Sequence, residues 1–223
     1  MFIKQKVKYP IDLKRTALVI VDMQNLFCEP DGSLYVESTQ DIMENVKNVT
    51  DAAHRAGMPV IYLSHIVRGD GSDTGRFKDM YPKADEQFKA GTYDVEITDQ
   101  LTVEPSDIKI SKLFYSGFHN TDLDAILRLR DIDTIIICGT VTNVCCETTV
   151  RDAVHREYKV IFLSDGNAAM DYPDMGWGEI TAEEIQKVTL TVLSYEFCQV
   201  STTEEVVKEI NAKITKADKS RVL

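Results

Sequence analysis

The chain has no apolar run near the ~18 residues that a membrane-crossing helix needs, and its start, Met1 to Lys14, is charged rather than signal-like. A soluble, cytoplasmic protein with no membrane partner is expected. Concentrated positive charge is also missing: 25 basic side chains face 36 acidic ones, a net charge of -11, with no basic block and no basic stripe laced with aromatics. Such a surface repels nucleic acid and anionic membranes, so neither is expected as a partner. There is no Cys-x-x-Cys, and the cysteines at 28, 138, 145, 146 and 198 are an odd set. That argues against a disulfide scaffold, a zinc site or a dithiol redox site, and each thiol has to be judged singly. Internal repeats and low-complexity tracts are absent as well.

What is present is an alternation of strands and helices. Thr16 to Met23 is a nearly continuous apolar run, the pattern of a strand covered on both faces, and it carries Asp22 at its end. Ile42, Val46, Val49, Ala52 and Ala53 recur at helical spacing, and Gly57 with Pro59 supplies a stop, which predicts a helix over residues 39–56. Strands follow at Pro59 to Leu63 and Thr134 to Cys138, with a further short candidate at Asp107 to Ile110. A helix containing Leu123, Ile126 and Leu127 feeds the Thr134 strand. Beyond it come a helix from about Asn143 to Arg156, a strand at Lys159 to Leu163, a helix from about Thr181 to Tyr195, an apolar piece around Phe197 to Val200 and a last helix opened by Ser201 or Thr202. Helices of this length between strands make crossover units, hence a three-layer α/β/α sandwich around a mostly parallel sheet. At 223 residues one core suffices, so a single domain over residues 1–223 is expected. The stretch from Ser64 to Ser106 breaks the rhythm: it is rich in Gly, Asp, Lys and Pro, with Phe77, Tyr81, Phe88 and Tyr93 spaced through it. A segment this long reads as a lid, a binding wall or an oligomer contact. The polar tail after Ala212 reads as a frayed end.

Parallel sheets bind ligands beyond the carboxyl ends of their strands. Asp22 ends the first strand, Lys112 follows the Asp107 to Ile110 segment, and Cys145 follows the strand that ends at Cys138, so all three share one rim. Taken singly they are a loop carboxylate, a surface lysine and a helix cysteine. Together they make a chemistry. A thiol must lose its proton before it attacks, an aspartate in reach takes it, and an ammonium stabilises both anions. A cysteine at a strand-to-helix turn also sits near unpaired backbone N–H groups that favour a thiolate, and the successive N–H groups of Thr140 to Cys145 suit the oxyanion of an attacked carbonyl. The combination points to acyl transfer from an amide or ureido carbonyl, with loss of ammonia or an amine.

The same residues carry a family resemblance. The sequence resembles the isochorismatase-like cysteine hydrolases, and within them the ureido-cleaving branch of ureidoacrylate, N-carbamoylsarcosine and biuret amidohydrolases. Three blocks carry it: Val19 to Phe27, Lys112 through Asp124, and Gly139 through Asp152 continuing to Asp165. The likeness spans roughly residues 15–203. It implies that Asp22 is the catalytic aspartate, Lys112 the catalytic lysine and Cys145 the nucleophile, with Cys146 a packed neighbour. It also implies a non-proline cis peptide at Thr140–Val141, an oxyanion hole formed by the Val141 and Cys145 N–H groups, and a ureido contact from Tyr115. His65 and His119 follow a strand and a motif near the rim and are candidates for bonding substrate; Phe27 is a candidate for lining the pocket. Relatives commonly form dimers or tetramers, so a homodimer or homotetramer is implied.

Departures from the family narrow the reading. Isochorismatases proper lack the catalytic cysteine, which argues against vinyl-ether cleavage. Nicotinamidases add an Asp-x-His and further histidines for a metal after the second strand, where this chain reads Leu63, Ser64, His65, Ile66, Val67, Arg68. No metal and no cofactor is assigned. The expected activity is therefore cysteine-dependent hydrolysis of a small ureido or N-carbamoyl compound through a thioester-type intermediate, releasing ammonia. The runners-up are a nicotinamidase or general small-amide hydrolase, an idle homologue serving as a binding or assembly subunit, and a redox thiol. Arg68, Arg76 and Lys78 are open to two readings, a partner for a substrate carboxylate or a solvated face.

Overall fold

The computed structural model describes residues 6–221, with side chains to residue 216. Six strands, β1 (Thr16–Val21), β2 (Val60–His65), β3 (Ile108–Lys112), β4 (Thr134–Thr140), β5 (Lys159–Ala168) and β6 (Gln199–Ser201), form one sheet in the order β3-β2-β1-β4-β5-β6. All five pairings are parallel. The helices are α1 (Asn25–Cys28), α2 (Thr39–Ala56), α3 (Phe77–Met80), α4 (Ala84–Gln87), α5 (Leu123–Leu129), α6 (Glu147–His155), α7 (Ala182–Glu196) and α8 (Thr203–Arg221). Because parallel neighbours require crossovers, helices cover both faces and the three-layer sandwich follows.

The alternation of side chains along each strand sorts the core into two layers. Leu18, Ile20, Tyr62, Ile136 and Cys138 face Val46, Val49 and Ala53 of α2 and Val206 and Ile210 of α8. Ala17, Val19, Val21, Ile61, Ile135 and Ile137 face Leu123 and Leu127 of α5, Val150 and Ala153 of α6 and Leu193 of α7. Cys138 is thus a buried small hydrophobe, as the apolar run predicts. α2 ends where Gly57 takes a left-handed φ of +66° and its N–H caps the Ala53 and His54 carbonyls. α7 opens on a capping box between Thr181 and Glu184. Among the described residues no helix is long and apolar enough to cross a membrane.

Several elements differ from the sequence expectation. β3 runs on to include Lys112, and β5 extends past Leu163 to Ala168, where Asn167 Nδ2 donates to the Leu163 and Ile137 carbonyls and replaces apolar packing as the tie. The helix predicted from Asn143 is two pieces, a π-helical turn over Thr142–Cys146 followed by α6. The tail is not frayed within the described residues, since α8 continues to Arg221. The first five residues of the charged amino-terminal stretch lie outside the described residues. His54 of α2 is mostly covered and pairs with Asp107 at 2.9 Å.

The 64–106 segment is a packed wall over the carboxyl edge of the sheet. Leu26, Val67, Phe77, Ala84, Phe88 and Val95 form their own buried cluster. Gln24 Nε2 donates to the His65 and Val95 carbonyls, and Asn25 Nδ2 donates to the Tyr93 carbonyl. These two polar residues after β1 therefore hold the segment in place.

Candidate active site

The site grows from backbone features at the carboxyl ends of β1, β3 and β4. Asp22 follows β1 with φ +50°, a left-handed conformation that is uncommon outside glycine and tolerated best by Asp and Asn. Its N–H donates to the Leu63 carbonyl of β2 at 2.8 Å. Beside it, Gly139 of β4 pairs in register with Val21, and a Cβ there would lie 2.0 Å from the Val21 carbonyl oxygen. Only glycine permits this approach of the two strands. The Thr140–Val141 peptide that follows is cis, at the position the family resemblance implies. The chain then winds into the π turn, in which the Cys146 N–H reaches back to the Val141 carbonyl and the Glu147 N–H to that of Thr142. Such wide turns recur at functional sites.

These features bring Asp22, Lys112 and Cys145 together. Lys112 Nζ donates to Asp22 Oδ2 at 2.8 Å and to the Phe114 carbonyl at 3.1 Å, and lies 3.5 Å from Cys145 Sγ. Asp22 and Lys112 are fully enclosed and Cys145 nearly so. The second carboxylate oxygen, Asp22 Oδ1, is buried without a hydrogen-bond partner, as are Thr140 Oγ1 and Thr142 Oγ1.

Burial governs the protonation states. It pushes the Asp22 carboxyl above its usual range, against the pull of Lys112. It also acts against the Lys112 ammonium, but Asp22 and Cys145 outweigh it and leave the ammonium harder to deprotonate than usual. Burial first, and Asp22 second, push the Cys145 thiol upward, with Lys112 pulling the other way. The resting sulfur is therefore a neutral thiol beside an ion pair, which corrects the expectation of a thiolate favoured by the helix start. Desolvation is the largest influence on this thiol, ahead of Asp22 and Lys112. The arrangement is poised to pass the thiol proton to Asp22 once the sulfur acquires an electrophile.

The remaining predicted residues divide. Tyr115 is half-buried, and burial first and the Cys145 thiol second raise its phenol above the usual range. His65, in register with Lys112, is enclosed by Phe77 and Phe88 at ring distances of 4.5 and 4.4 Å. Burial and then Lys112 hold its imidazole well below its usual range, so the ring is neutral, and Nε2 has no hydrogen-bond partner. Phe27 is half-buried against Phe88 at 6.1 Å. His119 is not brought to the cluster: it is exposed, edge-on to Phe114 at 5.5 Å, and its Nε2 lies beside the Asn120 amide. Its ring contacts are thus to Phe114 and Asn120, and none to Asp22, Lys112 or Cys145 is seen among the described residues.

Sequence reasoning passed over Phe77 and Tyr81 as site residues, although it noted the aromatics spaced through a polar segment. Phe77 is a hub, stacked on Tyr81 at 4.7 Å and edge-on to Tyr115 at 5.8 Å. The Tyr172 hydroxyl donates to Asn143 Oδ1 at 3.3 Å, two residues before Cys145, and an antiparallel bridge to Ile180 steadies its backbone. Burial first, with the Cys145 thiol among the lesser causes, raises the phenols of Tyr81, Tyr115 and Tyr172 above their usual range. Among the described residues no group of three or more His, Cys, Asp or Glu side chains is set to hold a metal ion.

Comparison with known proteins agrees with this architecture. The chain is 57% identical to a cysteine hydrolase from Pseudomonas syringae pv. phaseolicola 1448A, with a TM-score of 0.93 covering 94% of this chain and 98% of that one. It is 33% identical over 215 residues to the ureidoacrylate amidohydrolase RutB of Caulobacter segnis, covering 88% of this chain and 86% of the relative. An N-carbamoylsarcosine amidase from Thermoplasma acidophilum has a TM-score of 0.65 at 27% identity, covering 85% and 96% of the two chains. The isochorismatase domain model matches residues 16–205. A match of that extent, over a parallel sheet with a cysteine at its rim, makes this chain a member of the isochorismatase family, on its cysteine-hydrolase side.

Proposed function

We propose that the protein is an amidohydrolase that cleaves a C–N bond of a small ureido or N-carbamoyl compound, with Cys145 as nucleophile, Asp22 as general base and acid, and Lys112 as the cation that balances both. The observation that carries this reading is the buried contact chain from Asp22 through Lys112 to the Cys145 sulfur. In the first half of the cycle Sγ adds to the carbonyl carbon as Asp22 takes the thiol proton. The oxygen anion that forms meets the Val141 and Cys145 N–H groups. The C–N bond then breaks, the departing nitrogen takes the proton from Asp22 and leaves as ammonia, and an acylated sulfur remains. In the second half Asp22 deprotonates a water that attacks the same carbon, the S–C bond breaks, and the sulfur recovers its proton. The ureido preference draws on the likeness to ureidoacrylate amidohydrolases and to N-carbamoylsarcosine amidase.

Ammonia release over a panel of ureido compounds, N-carbamoyl amino acids, nicotinamide and simple amides tests the proposal, together with trapping of an acylated Cys145 by mass spectrometry. Turnover without any sulfur adduct, or turnover that survives Cys145→Ala, sinks the mechanism. A preference for nicotinamide sinks the ureido assignment alone.

A further inference from the structure

We propose that Thr149 is a positioning residue for this site: its hydroxyl pins the backbone of Cys145 to the loop that follows Lys112, and so fixes the distance between the sulfur and the ammonium. The inference rests on the hydrolytic reading of Cys145 and adds what holds the nucleophile in place.

The topology creates the need for such a pin. Lys112 ends β3, the edge strand, whereas Cys145 follows β4, and β2 and β1 lie between them. Three strand spacings put about 14 Å between β3 and β4. Lys112 Nζ nevertheless lies 3.5 Å from Cys145 Sγ. The strand ladder does not set that distance by itself, because Cys145 belongs to the π turn beyond β4 and to no strand.

The loop from Phe114 to Phe118 crosses the gap. At its start the Phe114 carbonyl accepts from Lys112 Nζ at 3.1 Å. Further on, the Gly117 N–H donates to Thr149 Oγ1 at 3.0 Å, and Thr149 Oγ1 donates to the Cys145 carbonyl at 2.7 Å. Gly117 and Thr149 are both buried. A backbone N–H can only donate, so the single proton of the hydroxyl is left for the carbonyl, and the direction of both bonds is fixed. Bonding back to a carbonyl four residues earlier is common for a helical threonine. The bond from Gly117, in a different segment, turns that habit into a cross-link. Ser116 adds a second pin one turn along α6, donating to Asp152, whose other oxygen accepts from Arg156 at 2.8 Å. The packing is equally close: a Cβ at Gly117 would overlap Leu63 Cδ1 and meet Thr149 Cγ2 at 3.4 Å.

Removing the hydroxyl leaves the Gly117 N–H buried without an acceptor and frees the Cys145 backbone on its carbonyl side. The loop and α6 then separate, and the sulfur is drawn off the ammonium. A displacement of about 1 Å at a reacting group can cost about 10²-fold in rate.

The test compares Thr149→Val, which keeps the shape and loses the hydroxyl, with Thr149→Ser, which keeps the hydroxyl. Its first readout needs no substrate: the rate at which iodoacetamide alkylates Cys145 in the full chain, located by peptide fragmentation. Thr149→Val should slow it about ten-fold and Thr149→Ser should stay within two-fold of the unmodified chain. The second readout is turnover of the ureido compound cleaved fastest in the panel above, where Thr149→Val should lower kcat about twenty-fold with KM within three-fold. Alkylation that is unchanged or faster in Thr149→Val, equal losses in both variants, or a KM rise that accounts for the loss overturns the proposal. So does faster alkylation of Cys138 or Cys146 in Thr149→Val, which would mark a general loosening of the core. Slower alkylation that serine restores, in a chain that cleaves no compound of the panel, supports the placing of the sulfur and counts against the hydrolytic reading instead. If Thr149→Val fails to fold, Ser116→Ala takes its place: alkylation of Cys145 slowed by about three-fold or more supports the cross-link, and an unchanged rate overturns it.

Discussion

At the amino ends of β1 and β4, Arg15, Asp133 and Lys159 form an ion cluster half in solvent; at the carboxyl ends of β1 and β3, Asp22 and Lys112 form one with no solvent at all. Both pair an aspartate with a lysine, and β1 is common to the two. What differs is water. At the amino end each charge keeps its hydration, so a pair is worth only a few tenths of a kcal/mol to about 1 kcal/mol. At the carboxyl end neither charge could remain ionised without the other, and the pair resists loss of either member. A protein that needs a carboxylate and an ammonium ready beside a thiol has to accept that buried arrangement, and the rest of the sheet supplies the stability to hold it.

The largest expected effect tests whether the carboxyl end is chemical. Cys145→Ala should cut ammonia release by at least about 10³-fold, while Cys146→Ala, one residue on and fully enclosed in the core, should keep most of it. Comparable losses in two folded variants would erase the distinction between the neighbours. Next, Lys112→Met leaves the Asp22 carboxylate buried and alone, and should lower unfolding free energy by about 3–5 kcal/mol in urea titrations at neutral pH as well as abolishing turnover. Adding Asp22→Asn to that variant should recover part of the stability and none of the activity.

A pH series sharpens the contrast further. The folded state depresses the His65 pKa, so its contribution to stability is present above the unfolded value near 6.5 and is lost as pH falls below it. Between about pH 6.5 and 5.5 the wild type should lose roughly 1 kcal/mol that a His65→Gln variant retains, read from urea midpoints at each pH. Equal slopes for the two proteins would mean that His65 titrates normally. The smallest effect belongs to the amino end: Arg15→Ala should change stability by under about 1 kcal/mol, and less at high salt. A loss as large as that for Lys112→Met would overturn the comparison.

The sequence showed the inner strands plainly because the middle of β1, β2 and β4 is a run of apolar residues, and the stop at Gly57 marked the end of α2. It showed the edges poorly. β3 alternates Lys109 and Ser111 with buried residues, and β5 continues through Ser164, Asp165 and Gly166, where hydrogen bonds rather than apolar contacts hold the chain. Asp22, Lys112 and Cys145 were legible as a group because strand ends meet at one rim. Their protonation was not, since a helix start argues for a thiolate, and the enclosure of the sulfur, with Asp22 beside it, acts the other way. Tyr81 and Phe77 were hidden for a similar reason: they lie in a segment whose composition is polar, and what aims them is the tether from Gln24 and Asn25 more than fifty residues away.

The methyl group that Gly139 lacks has a consequence for how such a site can diversify. β1 and β4 lie so close there that the separation between Asp22 and the turn bearing Cys145 is a property of two backbones, beyond the reach of any repacking of side chains. The aromatic wall has the opposite character, being made of exchangeable rings on a tethered segment. The molecule thus keeps its reactive spacing in a part that tolerates no change and its choice of substrate in a part that does, and selection can retune the second without disturbing the first.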